Sequence, residues 1–179
     1  MSSVKTKNKV DEAVLSKTLA GLVEHLKDNP GDAEASFEAS SELKVGFQSK
    51  VNIREFEFES DEPEQLGGTN IGPNPVEYIL GSLAACQEIV VKTHAALLGI
   101  EVNSVQVDVE GDLDLQGFLN LSEKRAGFTA VRFETTIDTD ETDSGKLERL
   151  KELTIDRCPV LDIIENPVPV EGTVRYSAA

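Results

Sequence analysis

A chain of 179 residues is long enough for one well-packed domain and too short for two ordinary enzymatic ones. Its 39% hydrophobic and 28% charged residues are ample for a core and exclude an intrinsically disordered chain. Thirty-three acidic against 17 basic residues give a formal charge of −16, which repels phosphate backbones and anionic lipid, so neither nucleic acid nor a membrane is an expected partner.

Residues 1 to about 9 are polar and basic, with no apolar run and no cleavage site of the secretory kind, so a cytoplasmic protein is expected. Val10, Ala13, Val14, Leu15, Leu19, Leu22, Val23 and Leu26 then recur at helical spacing until Asn29-Pro30-Gly31. Residues 1–30 are therefore expected to form an amphipathic helical extension, and 31–179 the main domain. From Ala33 the pattern shortens and alternates. Ala35 and Phe37, Leu43 to Phe47, Val51 and Ile53, and Phe56 and Phe58 read as strands of a meander. The Gly/Pro-rich stretch Ser60 to Pro73 reads as a loop.

Asn74-Pro75-Val76-Glu77 spells a helix start: an N-cap Asn, Pro at the first helical position and Glu three residues after the cap. The helix is expected to run to Leu98 and stop at Gly99. After Glu77 its only charged residues are Glu88 and Lys92, spaced for an ion pair, so the helix is expected to be buried on all sides. Its charge-free run Tyr78 to Gln87 is ten residues, too short for a bilayer of ~30 Å.

Val105, Val107 and Val109 form the next expected strand, continued less regularly by Leu113 to Leu121, and Val131, Phe133 and Ile137 the one after. The acidic stretch Asp138 to Asp143 reads as a loop and helix N-terminus. It is not a calcium loop, because Asp143 stands where glycine is required and Arg149 where Glu is. Leu147, Leu150 and Leu153 mark a helix that breaks at Cys158-Pro159, and Val168, Val170, Val174 and Tyr176 suggest a closing edge strand. Runs of strands separated by a few long helices indicate an α+β fold.

Cys86 and Cys158 are too few for a secreted disulfide framework, and from composition alone they are either inert core thiols or redox groups. Cys158, just before Pro159, falls at a helix N-cap, where free N–H groups favour a thiolate; Cys86, in mid-helix, needs a cation from elsewhere. The two histidines, His25 and His94, and the two cysteines lack short ligand spacing, so neither metal nor cofactor is expected.

The stretch LGGTNIGPNPVEYILGSLAACQEIVVKTHA resembles the central helix of the OsmC/Ohr family, and TIDRCPVLDIIENPVPV resembles that family's second cysteine motif. The resemblance covers about residues 43 to 176 and leaves out the N-terminal helix. It implies an OsmC-like α+β fold, an antiparallel sheet wrapped around long central helices in an intertwined homodimer. It also implies a thiol peroxidase that reduces organic hydroperoxides, with Cys86 peroxidatic, Cys158 resolving, and an external dithiol, such as a dihydrolipoyl group, as reductant. The pattern is altered at two places. Val76 stands where peroxidases of the family have Glu, leaving Glu77 as the nearby acid, and no arginine stands near Val45, leaving Arg54 as the only arginine before Cys86. Arg54 is either the activating cation or a sheet-surface charge, and Glu77 either its orienting acid or a cap. The alternative function is a non-catalytic protein that holds a hydrophobic small molecule in a pocket at the dimer interface.

Overall fold

The computed structural model describes residues 11–177. Val10, expected to open the first apolar stripe, lies outside the described residues. Helix α1 (Glu12–Asp28) begins where Asp11 accepts the Ala13 N–H at 2.9 Å, and it ends at Asn29. It lies against the long central helix, with Glu12 paired to Lys92 at 2.7 Å. Lys92 thus joins two helices instead of bonding Glu88 along its own. No residue of α1 is buried; Leu15, Leu19 and Leu26 are half-buried, whereas Val14 and Leu22 are exposed.

Strands β1 (Ser40–Val45), β2 (Gln48–Ile53) and β3 (Phe56–Ser60) form an antiparallel meander in that order. The expected strand at Ala35 and Phe37 is absent: the segment pairs with nothing, and Phe37 is 89% exposed. Two alternating apolar residues without a neighbouring ladder do not hold a strand.

The loop after β3 folds around Asp61, whose carboxylate is 1% exposed and accepts from the Thr69 hydroxyl at 2.6 Å and the Thr69 and Glu62 N–H groups at 2.8 Å. These bonds, that from the Thr69 hydroxyl above all, hold the Asp61 carboxyl below its ordinary range. Gly68 lets the loop close, because a Cβ there would lie 1.8 Å from the Glu62 carbonyl oxygen. The loop delivers the chain to α2 (Pro75–Leu98), which starts with the expected capping box and stops at left-handed Gly99, φ 67°.

Strands β4 (Ser104–Asp112) and β5 (Ala130–Asp138) pair antiparallel along their full length as a second, separate sheet. Between them, the leucines from Leu113 to Leu121 do not extend the strand; they include the short helix α3 (Leu115–Phe118), capped by Asp114. Asp143 caps α4 (Ser144–Asp156), fulfilling the reading of the acidic stretch as a helix start, and α5 (Pro159–Glu165) follows with Cys158 as its N-cap. The expected closing strand is not formed: residues 166–177 pair with no strand of this chain, and Val170, Val174 and Tyr176 are exposed. Pro167 and Pro169 each lack an N–H for a ladder.

One stripe of α2, comprising Leu83, Gln87, Val90, Val91 and Ala95, is buried against β4, α4 and α5. Leu83 and Val90 join Cys158 and Leu161 in one core cluster; Ala95 joins Ile100 and Leu150 in another. The helix is not buried all round. Ile79, Ile89 and Leu97 are 43%, 66% and 40% exposed, because a single chain covers only one side of α2. The fold is α+β with small antiparallel sheets, and no helix of the described residues is long and apolar enough to cross a membrane.

Candidate active site

The capping box fixes where α2 begins, and the break at Cys158-Pro159 fixes where α5 begins; together they bring two cysteines 72 residues apart into one cluster. Cys86 is half-buried, Cys158 is 1% exposed, and both are free thiols. Around them pack Leu83, Val109, Val131, Phe133, Val160 and Ile164. Cys86 packs against the core cluster that contains Cys158, and Cys158 is among the groups that act on its thiol.

Burial pushes the Cys86 thiol above its ordinary value, and the neighbouring Cys158 adds to that rise. The one group opposing it is the backbone N–H of Val160, in the first turn of α5. The Cys158 side chain makes no cap hydrogen bond, and the Val160 N–H of that turn acts on Cys86 instead. Among the described residues no lysine or arginine acts on Cys86 to favour its thiolate, so the cation that a mid-helix Cys86 needs is not supplied by these side chains.

Arg54 sits at the tip of the β2–β3 hairpin in a left-handed conformation, φ 55°, with its guanidinium 5.0 Å from the centre of the Phe56 ring. It is exposed and is not among the groups that act on Cys86. Glu77 accepts the Asn74 N–H at 2.8 Å while its own N–H donates to the Asn74 side chain at 2.9 Å. Its carboxylate is thereby engaged at the start of α2, whereas the preceding residue, Val76, lines the cavity described below. Val45 ends β1 in an exposed position. His94 faces the end of α4: burial, then Arg149 and Arg157, keep its imidazole below its ordinary value. Arg157 thus acts on α2.

A cavity of about 660 Å³ opens beside the thiol pair, sharing Val131, Phe133, Val160, Leu161 and Ile164 with the cluster around the sulfurs. Val76 and Ile79 of α2 complete its apolar wall, and Ser82, one turn before Cys86, also faces it. A second hollow, of about 450 Å³, lies between the meander and the start of α2, lined by Leu43, Phe47, Phe58 and Tyr78 and remote from both cysteines. Among the described residues, no group of three or more His, Cys, Asp or Glu side chains could hold a metal ion.

Two features escape a reading of the residues alone. Gln87, next to Cys86 and fully buried, has neither side-chain amide atom hydrogen-bonded, and the Thr135 hydroxyl on β5 is likewise unpartnered. A polar residue in the centre of an apolar helix was the available signal; counting charged residues alone passes over it. The other is Arg125, in the cavity lining from the loop before β5; it follows Cys86 in sequence and sits between two apolar segments, so no spacing pointed to it.

No curated protein matches the sequence. Among solved structures, an OsmC-like protein from Mycoplasma pneumoniae is similar at TM-score 0.63 and 16% identity, over 75% of this chain and 90% of that one. An organic hydroperoxide resistance protein OsmC from Legionella pneumophila is similar at TM-score 0.54 and 21% identity, over 74% and 90%. A further organic hydroperoxide resistance protein, from Elizabethkingia anophelis, is similar at TM-score 0.55 and 17% identity, over 75% and 91%. At these identities the likeness establishes the fold. The family model described as OsmC-like protein matches residues 67–172, more than half the chain and both cysteine segments. The protein belongs to the OsmC-like family.

Proposed function

We propose that the protein is a cysteine-based peroxidase that reduces organic hydroperoxides as part of oxidative-stress defence. The observation that carries this reading is the packing of Cys86 against the cluster that holds Cys158, beside an apolar cavity large enough for a hydrophobic substrate. Two of the similar structures are organic hydroperoxide resistance proteins, which supports the same class of substrate.

In the cycle, the Cys86 thiolate attacks the distal oxygen of the peroxide. The O–O bond breaks, the electron pair leaves with the alkoxide, a proton from solvent makes it an alcohol, and Cys86 becomes a sulfenic acid. The Cys158 sulfur then attacks the Cys86 sulfur, water leaves, and a disulfide forms, which an external dithiol reduces by exchange. A dihydrolipoyl group has the chemistry required. Val160 favours the thiolate, while burial opposes it, so the reactive form at neutral pH is a minority species. Glu77 and Arg54, the candidates for the acid and the cation, contribute only if substrate or a second subunit rearranges them; as they stand, each has a structural partner.

The working unit in this proposal is a homodimer. Ile89 on α2, Leu43, Val45 and Phe47 on the meander, and Val170, Val174 and Tyr176 of the unpaired C-terminal segment are exposed large apolar side chains, the kind of surface a second copy covers. A second copy wrapping these faces would supply the intertwined arrangement. A reducing compartment such as the cytoplasm suits a resting state with two free thiols.

A non-catalytic protein that binds a hydrophobic ligand is the second reading, favoured by the raised Cys86 thiol and by the absence of a cation acting on it. Titrating both thiols before and after a small excess of cumene hydroperoxide separates the two. Stoichiometric loss of both thiols supports the peroxidase; two unchanged thiols leave the binding protein.

A further inference from the structure

The cavity beside the thiol pair is apolar along α2, β5 and α5 but carries one cation. Arg125 lines it from the loop before β5, and its guanidinium lies over Gly127, another lining residue, 3.6 Å from where a Cβ would stand there. Among the described residues Arg125 forms no ion pair, so its guanidinium is not engaged by a carboxylate of this chain. Glu165, at the end of α5, is the only acidic side chain in the lining and is not joined to Arg125. A chain carrying a net −16 repels anions generally, so an unpaired guanidinium in this wall is a local exception to its field.

We propose that Arg125 is a specificity-determining residue that anchors a carboxylate, so that the cavity selects ligands with a carboxylate at one end and an apolar body at the other. A guanidinium offers two parallel N–H donors to a carboxylate, and the bond is stronger than one between neutral groups. The apolar body then lies along Ile79, Phe133, Val160 and Ile164, the wall shared with the sulfurs. Arg125 orients the ligand and does not touch the reacting oxygen. The proposal deepens the peroxidase reading and rests on it only for the identity of the ligand as a hydroperoxide; the anchoring itself can be measured without turnover.

The test uses the full chain with decanoate and, as a neutral probe of the same body, methyl decanoate, titrated calorimetrically into wild type, Arg125→Gln and Arg125→Lys. Decanoate is expected to bind the wild type about tenfold or more tightly than the ester, the gain of a charge-assisted hydrogen bond. Arg125→Gln is expected to erase that preference while leaving ester binding and thermal stability unchanged, since Arg125 is exposed and unpaired. Arg125→Lys retains the charge without the fork and is expected to restore part of the preference. Equal binding of acid and ester by the wild type, or an undiminished preference in Arg125→Gln, overturns the proposal.

A parallel measurement of thiol loss with cumene hydroperoxide and with a carboxylated analogue keeps the two readings apart. Decanoate selectivity without thiol oxidation removes the peroxidase and keeps the anchor. Oxidation at equal rates by both peroxides, with no decanoate preference, removes the anchor and keeps the peroxidase.

Discussion

Glu77 offers a sharp test of whether position 77 serves the fold or the chemistry. In the structure its carboxylate and the Asn74 side chain close a reciprocal pair of bonds of 2.8 and 2.9 Å, satisfying two N–H groups that no helical carbonyl can reach. Asn74→Ala is expected to cost about 1 kcal/mol, the usual loss for an N-cap. Glu77→Ala loses its half of the box and a favourable charge at the positive end of the helix, again about 1 kcal/mol in total. In a chain of 179 residues each such loss lowers Tm by roughly 2–4 °C. The double variant is expected to lose less than the sum, because each single change already breaks part of the shared box. Thermal and urea denaturation at fixed protein concentration measure these losses. Glu77→Gln, which keeps an acceptor, is expected to oxidise with cumene hydroperoxide at the wild-type rate well below its Tm. A drop of tenfold or more in that rate at unchanged Tm would refute the capping role as sufficient and return Glu77 to the site.

Three further outcomes follow from the same geometry. Because burial raises the Cys86 thiol, alkylation of Cys86 in a Cys158→Ala variant should climb about tenfold per pH unit from pH 6 to 8 without levelling; a plateau near pH 7 would show a cation at the sulfur. His94 is held below its ordinary value by burial and by Arg149 and Arg157, so its contribution to stability is complete above the unfolded value of about 6.5 and is lost as pH falls through the folded one. His94→Gln should flatten that acid-side loss in urea titrations, and an unchanged slope would contradict it. Gln87→Leu removes two buried amide atoms that have no partner and should raise stability, on the order of 1–2 kcal/mol; a loss of similar size would reveal a bound water that satisfies them.

The parts of the fold that were legible in the sequence are those written in local chemistry. Asn74, Pro75, Glu77 and Gly99 each state a backbone requirement, and α2 begins and ends where they say. Period-two alternation gave β4 and β5, whose pattern of burial follows it residue by residue. What failed depended on partners. Phe37 and the residues from Val168 to Tyr176 have strand-like composition, but pairing needs a neighbouring strand, and among the described residues none lies beside them. The expectation that α2 is covered all round rested on its lack of charge, and composition does not say how much of a helix the rest of the chain covers. The site divided in the same way. Nearness of Cys86 and Cys158 was implied by the family resemblance, whereas the cavity, Arg125 and the unpartnered Gln87 required the path of the chain. Arg54 was singled out for want of another arginine upstream, whereas Arg125, on the loop between β4 and β5, enters the cavity lining although it follows Cys86 in sequence.

Whether Cys86 and Cys158 form one redox pair is read by mass spectrometry of the peroxide-treated protein. A redox pair gives a Cys86–Cys158 disulfide in the wild type, a sulfenic acid trapped on Cys86 in Cys158→Ser, and no peroxide-dependent change at Cys158 in Cys86→Ser. Two thiols that stay reduced through an excess of organic hydroperoxide, or a sulfenic acid that appears first on Cys158, would contradict it.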